Sequence, residues 1–180
     1  MSAIEPEPKE PIVETKEGTS RDAAADEVIR RHVAYSIAGG AIPIPIVDLT
    51  AVTAVQLDML KQLAKTYEVE FDGASSRAFV TSITSALAGN MVARTGASLV
   101  KFVPGIGWLA GGIAEAVLTG ASTYAVGNLF KRLFAERRPI EDLDFAAVKD
   151  EVASYFDKGR EVARSMLDKV GGPFKRRGKK

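Results

Sequence analysis

The 180-residue chain contains no cysteine, which excludes a disulfide framework, a thiol nucleophile and every thiolate metal site. Its one histidine, His32, excludes multi-histidine metal centres and argues against a Ser-His-Asp hydrolase. His32 sits at helical spacing among Val28, Ile29 and Val33, so it reads as a satisfied, partly buried side chain. No residue pattern nominates the nucleophile and orienting acid that catalysis would require. The phosphate-loop pattern GxxxxGK[ST] is absent. Gly105-Ile106-Gly107-Trp108-Leu109-Ala110 matches the start of GxGxxG/A, but no strand precedes it, and that motif needs a strand–turn–helix setting. The expectation is a non-enzymatic chain without cofactor or metal.

Net charge is also scarce, at +1, but the charges are segregated. Residues 1–27 hold eight acids against three bases, a net of −5, whereas residues 172–180 hold five bases and no acid. The first 20 residues, rich in proline and acid, cannot bury enough apolar surface to offset chain entropy and are expected to be disordered. They lack the basic start and apolar stretch of a secretory signal. The last nine residues, GPFKRRGKK, are expected to form a basic tail.

What lies between reads as helix, with no strand alternation, and predicts an all-α bundle of about five to six helices. Ser20 can cap a first helix carrying the stripe Val28, Ile29, His32, Val33 and Ile37, and Gly39-Gly40 can end it. Pro43 and Pro45 make AIPIPIVD an extended connection. A second helix runs from about Val47 to Tyr67, with a face through Leu49, Val52, Gln56, Leu60 and Leu63. Ser75 or Ser76 can cap a third, rich in small residues, to about Arg94. After a break at Pro104, a long helix runs from about Trp108 to Arg137. Asp144 caps a last helix to about Val170, amphipathic through Val148, Val152, Tyr155, Phe156, Ala163 and Met166. The expected organisation is a leader over 1–20, a helical core over 21–138, an amphipathic helix over 139–171 and a tail over 172–180.

No acid occurs from residue 73 to 114, and only Arg77, Arg94 and Lys101 are basic there. The region around 97–130 has the length of a membrane span, but Glu115 lies near its middle, where a carboxylate costs about 2.5–3.5 kcal/mol. Small residues recur one turn apart, as at Gly107/Gly111 and Gly112/Ala116, and such spacing lets helices approach closely in membranes or in tight bundles. Two readings stay open: a buried central helix, or a Gly/Ala-rich hairpin packed in or against a bilayer. If buried, Glu115 needs a partner, with Lys101, Ser122 and Thr123 as candidates. The expected contact residues are Phe102, Pro104, Gly107, Trp108, Gly111, Gly112 and Gly120 of the hairpin. Lys175, Arg176, Arg177, Lys179 and Lys180 join them from the tail as contacts to anionic lipid. Nucleic acid is disfavoured, because no aromatic residues interleave with these charges.

RRH at 30–32, IPIPIVD at 42–48, PGIG at 104–107 and GASTYAVG at 120–127 resemble a bacterial family catalogued as domain of unknown function 697, over about residues 25–135. The resemblance implies a helical, membrane-associated module that acts beside a GTPase. This chain has no P-loop, so that GTPase would be a separate partner. The first functional reading is a module on the cytoplasmic side of the bacterial inner membrane, peripheral or partly inserted. The second is a cytoplasmic adaptor or self-assembling scaffold that binds partners, or a second copy, through its C-terminal amphipathic helix.

Overall fold

The computed structural model describes residues 16–40, 49–95, 107–140 and 143–169, and in these the chain forms five α-helices and no strand. They are α1 (Lys16–Gly40), α2 (Leu49–Tyr67), α3 (Gly73–Thr95), α4 (Gly107–Ala135) and α5 (Phe145–Lys169). The expected leader of 1–20 overlaps the start of α1, which opens at Lys16, a turn before Ser20. Ser20 therefore lies within the helix and does not cap it. The leader's residues 1–15, the IPIP connection and the basic tail lie outside the described residues.

Asp72, and neither Ser75 nor Ser76, caps α3. Its carboxylate accepts hydrogen bonds from the backbone N–H groups of Ala74 at 2.9 Å and Ser75 at 3.2 Å, and from the Ser75 hydroxyl. An ionised carboxylate at this position satisfies two orphan donors and meets the positive end of the helix dipole. Those bonds, with the Ser75 hydroxyl foremost, hold the Asp72 carboxyl below the usual range. Asp144 caps α5 as expected, accepting from Ala146 N–H at 2.9 Å.

α4 stops at Ala135, two residues short of the expected Arg137. Arg137 has φ 52°, and the bonds Arg137 N–H to Phe134 O and Arg138 N–H to Leu133 O form a Schellman cap. α2 closes in the same way, with Glu68 at φ 54°, Glu68 N–H on Lys65 O and Val69 N–H on Ala64 O.

The helices alternate in direction. Ile37 packs at Gly120 and Ile29 at Gly127, while Lys131 pairs with Asp26 at 2.7 Å, so α1 runs antiparallel to α4. Ala163 meets Gly120, and Arg132 pairs with Glu151 at 2.6 Å, so α5 is antiparallel to α4 as well. α4 is the central helix. It packs most extensively on α5 and α1 and then on α2, while α3 lies chiefly on α2. From Ala116 to Phe134, α4 is enclosed nearly all round, with Ala121, Ala125, Val126, Leu129, Phe130 and Leu133 fully buried. The buried, Gly/Ala-rich helix is thus present, with α1 and α5 as its close neighbours.

The apolar stripe of α5 is occupied by this packing. Val148, Val152, Phe156 and Ala163 are buried in the common core. α5 is an integral wall of the bundle, so that stripe is not free to bind a partner as the second functional reading requires.

Candidate functional site

The close approach of α4 to its neighbours depends on three glycines. A methyl group at Gly159 would meet the Ala121 backbone, one at Gly120 would meet Ile37 and Ala163, and one at Gly127 would meet Ile29 and Met59. Gly120, expected as an outward contact, is therefore an interior packing position; small residues one turn apart serve close helix packing wherever the partner lies.

Between α1, α2, α3 and α4 lies a buried polar network that sequence reasoning did not find. Gln56 is fully buried; its amide donates to Ser122 Oγ at 3.1 Å, and its carbonyl accepts from Thr84 Oγ1 at 3.1 Å. Ser36 and Thr123 share a hydroxyl–hydroxyl bond of 2.8 Å, and Thr119 Oγ1 donates to Ser36 O at 3.0 Å. By sequence alone Gln56 reads as one position on an apolar face. Its periodicity among Val52, Leu60 and Leu63 was the available signal, because a polar residue on a buried stripe must find partners. Ser122 and Thr123 serve this network, so they are not partners of Glu115. Glu115 is half-buried, and Lys101 lies outside the described residues. With every hydroxyl held by a neighbour, the network is built to fix helix register.

His32 is buried, at 1% exposure, and both ring nitrogens are engaged. Nδ1 lies 2.8 Å from Val28 O, and Nε2 lies 3.0 Å from Asp58 Oδ2. Gln62 also donates to Asp58 Oδ2 at 2.8 Å, and accepts from Arg31 at 2.5 Å. The hydrogen bond from His32 holds the Asp58 carboxyl below its usual range. A histidine–aspartate pair can activate a nucleophile only if one ring nitrogen is free to face it. Here none is free, and the pair clamps α1 to α2. Nothing local in the sequence connects position 32 to position 58.

Among the described residues, four of the expected contact residues lie at one end of the bundle. We call this end the head: α1, α3 and α5 finish there, and α2 and α4 begin there. Gly107, Trp108, Gly111 and Gly112 occupy the first turns of α4, with Gly112 half-buried and Ile113 exposed. Phe102 and Pro104 lie outside the described residues in the segment between α3 and α4. Lys175, Arg176, Arg177, Lys179 and Lys180 also lie outside them, in the chain that leaves Lys169. Among the described residues, no three acid or histidine side chains gather as a metal site, and no helix is long and apolar enough to cross a membrane.

Comparison with known proteins places these features in context. The chain is 30% identical over 153 residues to "Magnetosome membrane protein 22" of Magnetospirillum gryphiswaldense, covering 84% of this chain and 78% of that protein. No solved structure matches the chain. Residues 10–161 match the family described as "Domain of unknown function (DUF697)", a span that reaches well into α5 and beyond the expected 25–135 at both ends. Residues 10–161 being the greater part of the chain, this protein belongs to the DUF697 family.

Proposed function

We propose that this protein is a non-enzymatic helical module attached peripherally to the cytoplasmic face of a bacterial inner membrane. The observation that carries this reading is similarity over most of the chain to a relative named a membrane protein. Two features support peripheral attachment. No described helix can cross a bilayer, and the chain ends in five bases within residues 172–180. Near an anionic surface each lysine or arginine contributes about 1 kcal/mol, so five of them can help hold a helical module there. The saturated His32–Asp58 pair and the closed Gln56 network support a scaffold role, since each polar group already has a protein partner. The GTPase implied by the family resemblance would act as a separate protein beside it.

Membrane fractionation tests the reading. The chain should sediment with membranes, resist buffer and detach in high salt or alkaline carbonate. Removing residues 172–180 should shift it to the supernatant at lower salt. A chain that stays in the supernatant and ignores vesicles of phosphatidylglycerol sinks the proposal, and one released only by detergent sinks its peripheral form.

A further inference from the structure

We infer that His32 is held as an imidazolium, with both ring nitrogens protonated, and that the α1–α2 contact is a lock released when the ring gives up a proton. The lock is a property of the fold and holds with or without a membrane.

The balance of donors and acceptors around the ring requires the imidazolium. Nδ1 lies 2.8 Å from Val28 O, and Nε2 lies 3.0 Å from Asp58 Oδ2. A backbone carbonyl only accepts, so Nδ1 must carry a hydrogen. A second hydrogen must lie between Nε2 and Oδ2, because two facing lone pairs would repel. Nitrogen or oxygen can carry it. The Asp58 side chain is 60% exposed, and its Oδ2 also accepts from the Gln62 amide at 2.8 Å. Solvent and that bond both favour the ionised carboxylate. Imidazole is also the stronger base, with an ordinary pKa of about 6.5 against about 3.9 for an aspartate. The proton therefore sits on the ring. A neutral ring satisfies one of these two acceptors and never both.

Few other charges bear on the ring. On its own helix Glu27 is taken up by Arg30, Arg31 donates to Gln62, and Tyr35 meets the ring in a T-shaped contact with centroids 5.6 Å apart. α2 presents Asp58 and, beside it, Lys61. α4 has no charged residue between Glu115 and Lys131, and Lys131 is paired with Asp26. The α5 charges that flank Gly159, namely Asp157, Lys158, Arg160 and Glu161, are at least partly exposed, and Arg160 pairs with Asp157 at 3.6 Å. Among the described residues, Asp58 is thus the acid that holds the ring.

Loss of the ring proton leaves Nε2 and Oδ2 as two acceptors facing each other. Asp58 can turn into water, but Nε2 is buried and cannot. The α1–α2 bond is then lost, and the Arg31–Gln62–Asp58 chain beside it loosens. The contact is therefore firm while the ring is protonated and weakens as pH rises through its titration. Strong acid opens it from the other side by protonating Asp58, so the lock closes over a band of pH.

A single histidine makes the ring directly readable. In isotope-labelled full-length protein at neutral pH, long-range proton–nitrogen correlation should find both ring nitrogens protonated, whereas a neutral ring shows one bare nitrogen. Asp58→Asn, at an exposed position, should keep the helical content and lower the midpoint of the ring's titration by about one pH unit. Across the parent's midpoint, amide exchange in α1 around His32, taken relative to α4, should rise about tenfold, the weight of one charge-assisted bond. The same ratio should not rise in Asp58→Asn, because an asparagine amide can donate to the neutral ring. A bare ring nitrogen at neutral pH, or a midpoint unmoved by Asp58→Asn, overturns the imidazolium and the lock with it. A titrating ring with a constant exchange ratio overturns the lock. If Asp58→Asn fails to fold, the parent's ring signals and exchange ratio decide both points.

Discussion

A methyl group added at Gly159 would lie 2.9 Å from the Cα and carbonyl oxygen of Ala121 and from Cβ of Tyr124. Backbone atoms cannot rotate away, so Gly159→Ala should destabilise by about 1–3 kcal/mol in urea unfolding, despite alanine's better helix propensity. Gly39→Ala, with nothing within 4 Å, should be neutral or stabilising by up to about 1 kcal/mol. Gln56→Leu should cost about 2–3 kcal/mol, because the Thr84 and Ser122 hydroxyls would lose their partner inside the core. Adding Thr84→Val and Ser122→Ala should recover much of that loss, which a denaturant midpoint would register. Asp58 supplies a pH-dependent contribution. Its folded pKa lies below the unfolded value, so its stabilisation is present above about pH 4 and lost as pH falls through the folded value. Asp58 is largely exposed, so the effect should stay under about 1 kcal/mol. Asp58→Asn should be less stable than the parent at neutral pH, and the two midpoints should converge in strong acid.

At the scale of elements, two helices end on left-handed residues that are not glycine, Glu68 and Arg137. The left-handed region strains any residue with a Cβ, and Arg137 is exposed at the end of α4. Arg137→Gly should raise stability by roughly 0.5–1 kcal/mol, read from thermal or urea midpoints. No loss should follow if the cap geometry is the one that matters. The Schellman pattern also explains why α4 ends before the expected Arg137. Lysine, arginine and glutamate at 131–137 are all good helix formers, and no glycine marks the stop before Pro139. Asp72 was overlooked as a cap for the opposite reason, because two serines just beyond it offered the same chemistry.

At the scale of the whole molecule, α5 decides whether the bundle is complete. It covers one side of α4, and its Val148, Val152, Phe156 and Ala163 share the core with α1 and α4. A chain ending at residue 140 should lose cooperative unfolding and aggregate, since it would expose the α4 surface around Ala121 and Tyr124. A soluble, cooperatively folded truncation would instead return α5 to the role of a detachable appendage. The family match to residue 161 agrees with the structural assignment, because it takes in most of this helix.

Helix number, the amphipathic stripe of α5 and the segregation of charge were legible in the sequence, whereas the Gly/Ala-rich α4 read equally as a buried helix or as one packed against a bilayer. Each depends on local periodicity or composition, and a 3.6-residue repeat carries its own geometry. What covers each stripe was not legible. Register between helices sets the Gln56 network, the His32–Asp58 clamp and the inward place of Gly120, and it joins residues 26 to 87 positions apart. The meeting of helix ends was hidden for the same reason. A linear sequence does not say which helix ends meet, and only the antiparallel alternation of five helices brings the starts of α2 and α4 together with the ends of α1, α3 and α5.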